Sequence, residues 1–136
     1  MDDLFKTMSI SGAGMKAQGT RLRVIAENMA NANSLPTKPG EMPYRRKITV
    51  FRNELDRKLG AKTVIVDKVK PDKSKFGLRF DPNHPAANAD GYVQVPNVKS
   101  LVESMDMKEA QRSYSANVNV IKLTKEMIGN TLAILK

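Results

Sequence analysis

The stretch MKEAQRSYSANVNVIKLTKEMIGNTLAIL, residues 107–135, decides the reading of the whole chain. Within it Met107, Tyr114, Ile121, Ile128 and Leu135 recur every seven residues. A seven-residue step turns an α-helix nearly twice, so these side chains line one stripe. Val120, Met127 and Ile134 form a second seven-spaced row beside it, which makes the apolar face wide enough to touch more than one helix. The opposite end of the chain repeats the pattern: in MSISGAGMKAQGTRLRVIAENM, residues 8–29, Met8, Met15, Leu22 and Met29 stand seven apart. Stripes of this kind need covering by another helix, in the same molecule or a neighbouring one.

Working outward, Asn97 after Pro96 is the expected N-cap of the C-terminal helix. Continued to Lys136, that helix has about 39 residues and is about 58 Å long. The N-terminal helix is expected from about Ser9 to Asn33, with Asn33 in the left-handed conformation at its end and Pro36 blocking continuation. Gly12, Gly14 and Gly19 each weaken its first half by about 1 kcal/mol relative to Ala. Two readings of these small residues stand: a close approach of another backbone, or a flexible terminus.

The middle of the chain is different. Ser34 to Pro43 reads as a turn-rich exit. Residues 47–51, 63–69, 76–80 and 92–95 read as strands, with a break at Pro71-Asp72. Residues 81–85 and 88–91 are loop chemistry. The predicted architecture is mainly α with a small β insert. Residues 1–35 together with 97–136 form a discontinuous helical assembly domain, paired in coiled-coil fashion, and residues 36–96 form a β-rich basic insert.

Composition narrows the function. Hydrophobic residues make up 40% of the chain but aromatics only 5%, and there is no Trp, which suits helix seams better than a deep core. The net charge of +9 is concentrated: residues 38–79 hold 13 of the 23 Lys and Arg but 5 of the 14 acids, a balance of +8. The helical ends are near neutral, whereas a nucleic-acid-reading helix carries the charge itself. Lys along a strand edge is explained by protection against unwanted pairing. No nucleic-acid partner is therefore expected.

The absence of Cys excludes disulfides and thiolate metal sites. The lone His84, between Asn83 and Pro85, has no second His or Cys to complete a metal site and reads as a turn residue. Gly12-Ala13-Gly14 lacks the strand and spacing of a phosphate loop. Asp2 with Asp3, and Asp106 with Glu109, read as solvated helix charges rather than acid/base pairs. No catalytic residue, cofactor or metal is expected. The opening residues lack the basic and apolar regions of a secretory signal, and no apolar run is long enough to span a bilayer, so neither a cleavable signal nor direct membrane insertion is expected.

Residues 15–34 resemble the N-terminal signature of bacterial flagellar rod and hook proteins. The resemblance is carried by Ala17-x-x-x-Arg21-Leu22-x-Val24-Ile25-Ala26-x-Asn28 and by Asn28-Met29-Ala30-Asn31-Ala32-Asn33-Ser34. Arg112-x-Tyr114-x-Ala116-Asn117 resembles the C-terminal counterpart. Pro43-Tyr44-Arg45-Arg46, residues 81–85 and residues 91–98 are similar to proximal rod members of that family, while residues 53–75 match it poorly. The resemblance implies a structural, non-enzymatic subunit. Such a subunit is exported without a cleavable signal by the flagellar export apparatus. It polymerises with itself and with other proximal and distal rod proteins into the periplasm-spanning drive shaft around an export channel. Met15, Leu22, Ile25, Asn28 and Met29 on one helix, and Met107, Tyr114, Asn117, Ile121, Ile128 and Leu135 on the other, are the candidate assembly interface. For Asn28, Asn31, Asn33 and Asn117 two readings stand: hydrogen bonds across the seam that fix register, or exposure and helix capping.

Overall fold

The N-terminal helix, α1, runs Asp2–Ala30 and so begins a full turn and more before the expected start. Asp2 and Asp3 occupy its first turn, where negative charge meets the positive end of the helix dipole, and Lys6 Nζ lies 3.0 Å from Asp2 one turn on. The computed structural model describes residues 1–134; Leu135 and Lys136 lie outside the described residues.

At its other end α1 stops at Ala30, three residues short of Asn33. Asn31 ends it: its backbone and side-chain N–H groups both donate to Glu27 O, and its Oδ1 accepts from Ser34 Oγ. The left-handed Asn33 is not found, because among the described residues only glycines have positive φ. Asn31 leaves the helix at φ −102° instead.

The C-terminal helix, α2, spans Ser100–Ile134, 35 residues and about 52 Å. It starts after Asn97, which is therefore not its N-cap. The Asn97 side chain fastens loops instead, accepting from Arg46 N at 2.7 Å and donating to Ser74 Oγ at 2.9 Å.

Between the helices lie two antiparallel hairpins. In the first, β1 (Lys47–Asp56) pairs with β2 (Ala61–Pro71). Both strands outrun the expected ones, since cross-strand pairing carries polar residues that propensity alone leaves in loops. Asp56 Oδ1 collects the Lys58 and Leu59 N–H groups, and Gly60 turns the chain at φ 63°. A bulge leaves Asp67 unpaired, because Val50 faces Lys68 while Phe51 faces Val66. The second hairpin joins β3 (Gly77–Phe80) to β4 (Tyr92–Val95), with Phe80 and Tyr92 edge to face at 5.3 Å.

The helices pack antiparallel, Gly14 opposite Asn117 and Asn28 opposite Glu103. The first hairpin lies against α1, where Val64, Ile65 and Val66 line a hollow with Ala13, Ala17 and Thr20. Only Gly14 of the three α1 glycines meets α2: a Cβ there would lie 2.9 Å from Asn117 Nδ2, while Gly12 and Gly19 have open space. Gly14→Val should cost about 1–3 kcal/mol by forcing the helices apart, whereas Gly12→Ala should be neutral or gain up to about 1 kcal/mol. Denaturant unfolding of the two variants measures this; equal stability would mean that the close approach is not used.

Candidate assembly interface

The face that each helix turns toward the other is not the apolar heptad row. On α1 the buried residues are Ser11, Gly14, Ala17, Val24, Ile25 and Asn28, and on α2 they are Glu103, Ala110 and Thr124. The α2 residues share one seven-spaced row with half-buried Asn117. That row has no large apolar member, so hydrophobic periodicity passes over it.

The candidate residues consequently fall in different places. Ile25 and Asn28 lie in the seam. Met15, Leu22 and Met29 on α1, and Met107, Ile121 and Ile128 on α2, are half-buried along its flanks, and Tyr114 is exposed. Asn117 packs over Gly14 but donates to Ser113 O in its own helix. Asn31 is tied to its own helix end, and Asn33 is exposed. Leu135 lies outside the described residues. The second α2 row faces outward, with Val120 37%, Met127 55% and Ile134 84% exposed. Leu123 and Leu132 beside it, and Phe5 and Ile10 on α1, are exposed as well.

One end of the pair is closed by a polar node. The Asn28 amide, 1% exposed, uses its full capacity: Nδ2 donates to Lys47 O at 2.8 Å and Glu103 Oε2 at 3.1 Å, while Oδ1 accepts from Lys47 N and Tyr44 OH, both at 2.9 Å. Glu103 is fully buried, and its other oxygen takes the Arg46 Nε–H. Arg46 also reaches Asp72 at 3.2 Å and Asp106 at 3.5 Å. Next to it, Arg21 lies 3.4 Å from Glu109 and 3.8 Å from Asp106. Glu109, its side chain 66% exposed, is the solvated helix charge expected, with Arg21 beside it, whereas Asp106 is half-buried and answers two arginines. Glu103, Arg46, Asp72, Tyr44 and Asn97 were not anticipated. The one available signal was Glu103 standing in phase with Ala110 and Asn117.

Electrostatics follow from these contacts. Burial lowers the Arg46 guanidinium, but the hydrogen bond and charge of Glu103, then those of Asp72, outweigh it and hold the group above its ordinary value. Burial, aided by the Glu27 charge, raises the Tyr44 hydroxyl, so it remains a donor to Asn28. The Ser74 backbone N–H, 2.9 Å from Asp72 Oδ1, holds that carboxyl below the usual carboxylate range, with the Ser74 side chain and Arg46 helping against burial. A carboxyl lowered on folding stabilises the fold above its unfolded pKa, and that contribution is lost as pH falls through the folded value. The thermal midpoint should drop as pH falls below about 5 and on through the lowered Asp72 value, and Asp72→Asn should flatten part of that drop. An identical acid profile for Asp72→Asn would remove Asp72 from the node.

The described residues contain no group of three or more His, Cys, Asp or Glu placed to hold a metal, and none of their helices is long and apolar enough to cross a membrane. His84 Nδ1 accepts from Ala86 N at 3.1 Å inside the turn between β3 and β4. The arrangement is one of packing faces and a polar node.

Residues 89–134 match the family model described as flagellar basal body rod FlgEFG protein C-terminal. The chain is similar over nearly its whole length to proteins named flagellar basal-body rod protein FlgC. One from Agrobacterium fabrum is 45% identical, covering 100% of this chain and 98% of the relative. One from Bacillus subtilis is 36% identical, covering 97% and 98%, and one from Salmonella typhimurium is 38% identical, covering 96% and 97%.

Proposed function

The chain belongs to the flagellar basal-body rod protein FlgC family, and from that premise we propose that it polymerises through its terminal helices into the proximal rod. It is a structural subunit of the flagellar basal-body rod. The terminal helices of neighbouring copies, and of other proximal and distal rod proteins, interlock into the shaft wall around the export channel. The subunit reaches that position through the flagellar export apparatus without a cleavable signal. Residues 1–35 and 97–136 act as the assembly unit, and residues 36–96 lie outside the helical wall. Its work is mechanical, with no cofactor and no catalysis.

The observation that carries this reading is the outward row Val120, Met127 and Ile134 on α2. The residues that α2 buries are small or polar, Glu103, Ala110 and Thr124, and this row of large apolar side chains stays outside. A contiguous apolar face of this kind marks an interaction surface. A shaft built by one repeated screw operation uses heterologous contacts, so the face need not be self-complementary. Torque transmission without sliding calls for long helices held by several neighbours at once.

The natural chain has no Cys, so single cysteines report cleanly on this surface. Val120→Cys or Met127→Cys, combined with a partner cysteine on α1 and treated in isolated basal bodies, after reduction and desalting, with a short bis-thiol-reactive crosslinker, should give subunit ladders. Cysteines placed at Asp90, in the turn before β4, should not. Ladders from Asp90 with none from α2 would reverse the assignment of inner and outer parts.

A further inference from the structure

Beyond Arg21 and Glu109, among the described residues, no hydrogen bond or ion pair joins α1 to α2. Along that distal stretch the buried residues are small, Ser11 and Gly14 on α1 and Ala110 and Thr124 on α2, and Asn117 lies over Gly14. Thr124 Oγ1 bonds back to Val120 O in its own helix, and Asn117 Nδ2 to Ser113 O. Small residues fill few holes and so hold register only weakly, that contact of Asn117 with Gly14 being the close approach along this stretch. Knobs of Leu or Ile that would resist sliding stand on the flanks instead.

Among the described residues, the only fully buried hydrogen bond from α1 to α2 is Asn28 Nδ2 to Glu103. We propose that the Asn28–Glu103–Arg46 node is the register pin of the subunit: it sets how α1 and α2 are aligned along their length and, through the same atoms, fixes where the first hairpin leaves the helices. Glu103 accepts from α1 through Asn28 and from the connecting segment through Arg46. Asn28 in turn pairs with both backbone groups of Lys47, the first residue of β1. Shifting α2 by one turn would carry Glu103 about 5.4 Å along the axis, parting it from both donors at once. A buried polar contact that selects one alignment is the best-attested use of such groups. The inference concerns alignment inside one chain and does not rest on the rod reading.

Engineered disulfides read that alignment directly, since a Cβ at Gly14 would sit 3.2 Å from Asn117 Cγ. The purified full chain carrying Gly14→Cys with Asn117→Cys should oxidise to one intramolecular disulfide, while Gly14→Cys with Ser113→Cys or with Ile121→Cys, each a turn away, should oxidise at least tenfold less. Adding Glu103→Ala or Asn28→Asp should lower the native yield severalfold and raise the shifted pairs. The discriminating variant is Arg46→Met with Glu103→Leu, because replacing a buried ion pair by apolar groups often keeps or raises stability. Helical circular dichroism should persist there while the disulfide yield spreads over native and shifted pairs. If that double variant keeps only the native disulfide, or loses its helices altogether, the node serves stability and the register-pin proposal is wrong.

Discussion

Met127→Asp should abolish swimming motility while the purified subunit keeps its fold. Met127 is exposed in the single chain, so the exchange is a surface one there, worth within about 0.5 kcal/mol. In a closed helix–helix contact the same carboxylate loses its water without gaining a partner, at a cost on the order of several kcal/mol. A filament repeats that fault in every copy. Leu22→Asp and Ile121→Asp should also stop motility, but both residues are half-buried in the subunit, so the loss mixes misfolding with failed assembly. Motility counts beside thermal melts separate the two cases. A motile strain producing Met127→Asp at normal levels would mean that the outward α2 row faces solvent in the rod.

Arg46→Ala should be the most damaging single change to the free subunit, lowering stability by about 3–5 kcal/mol. It leaves Glu103 fully buried without its cation and unties Asp72 and Asp106 together. Against a total of about 5–15 kcal/mol for a domain, that loss is a large fraction. Arg46→Lys should recover part of it, since a single ammonium reaches fewer acceptors than the forked guanidinium. Urea unfolding with an unchanged slope and a much lower midpoint is the expected reading; an unfolding free energy within about 0.5 kcal/mol of wild type would show that the Glu103 charge does not depend on Arg46.

How much of this was legible in the chain depends on which force wrote each part. The heptad rows that announced two terminal helices are there because large apolar residues must be covered somewhere, and periodicity reports that need directly. The same logic found both hairpins' strands near Val64 and Val93. It did not say which face of each helix meets the other, because much of what is buried between them, Ser11, Gly14, Ala110 and Thr124, is small or polar and carries little pattern. Glu103 could not be read as buried, since only Arg46 and Asn28, distant in sequence, make its burial tolerable. Asn97 looked like a helix cap because local chemistry favours it there, but Arg46 N and Ser74 claimed its side chain first. Asn28 was recognisable as a candidate for cross-seam bonding, yet its strongest partners lie on the backbone of Lys47, beyond any helix-based reading.

On the proposed assembly, large apolar side chains left outside each subunit become covered by neighbouring helices in the rod. A density map of an isolated basal body at side-chain detail tests it most directly. Val120 and Met127 should each lie within about 4.5 Å of apolar side chains from an adjacent subunit, with Glu103 still paired to Arg46 inside its own chain. A map in which that row points into open solvent, or in which the first hairpin rather than α2 forms the wall of the shaft, would contradict it.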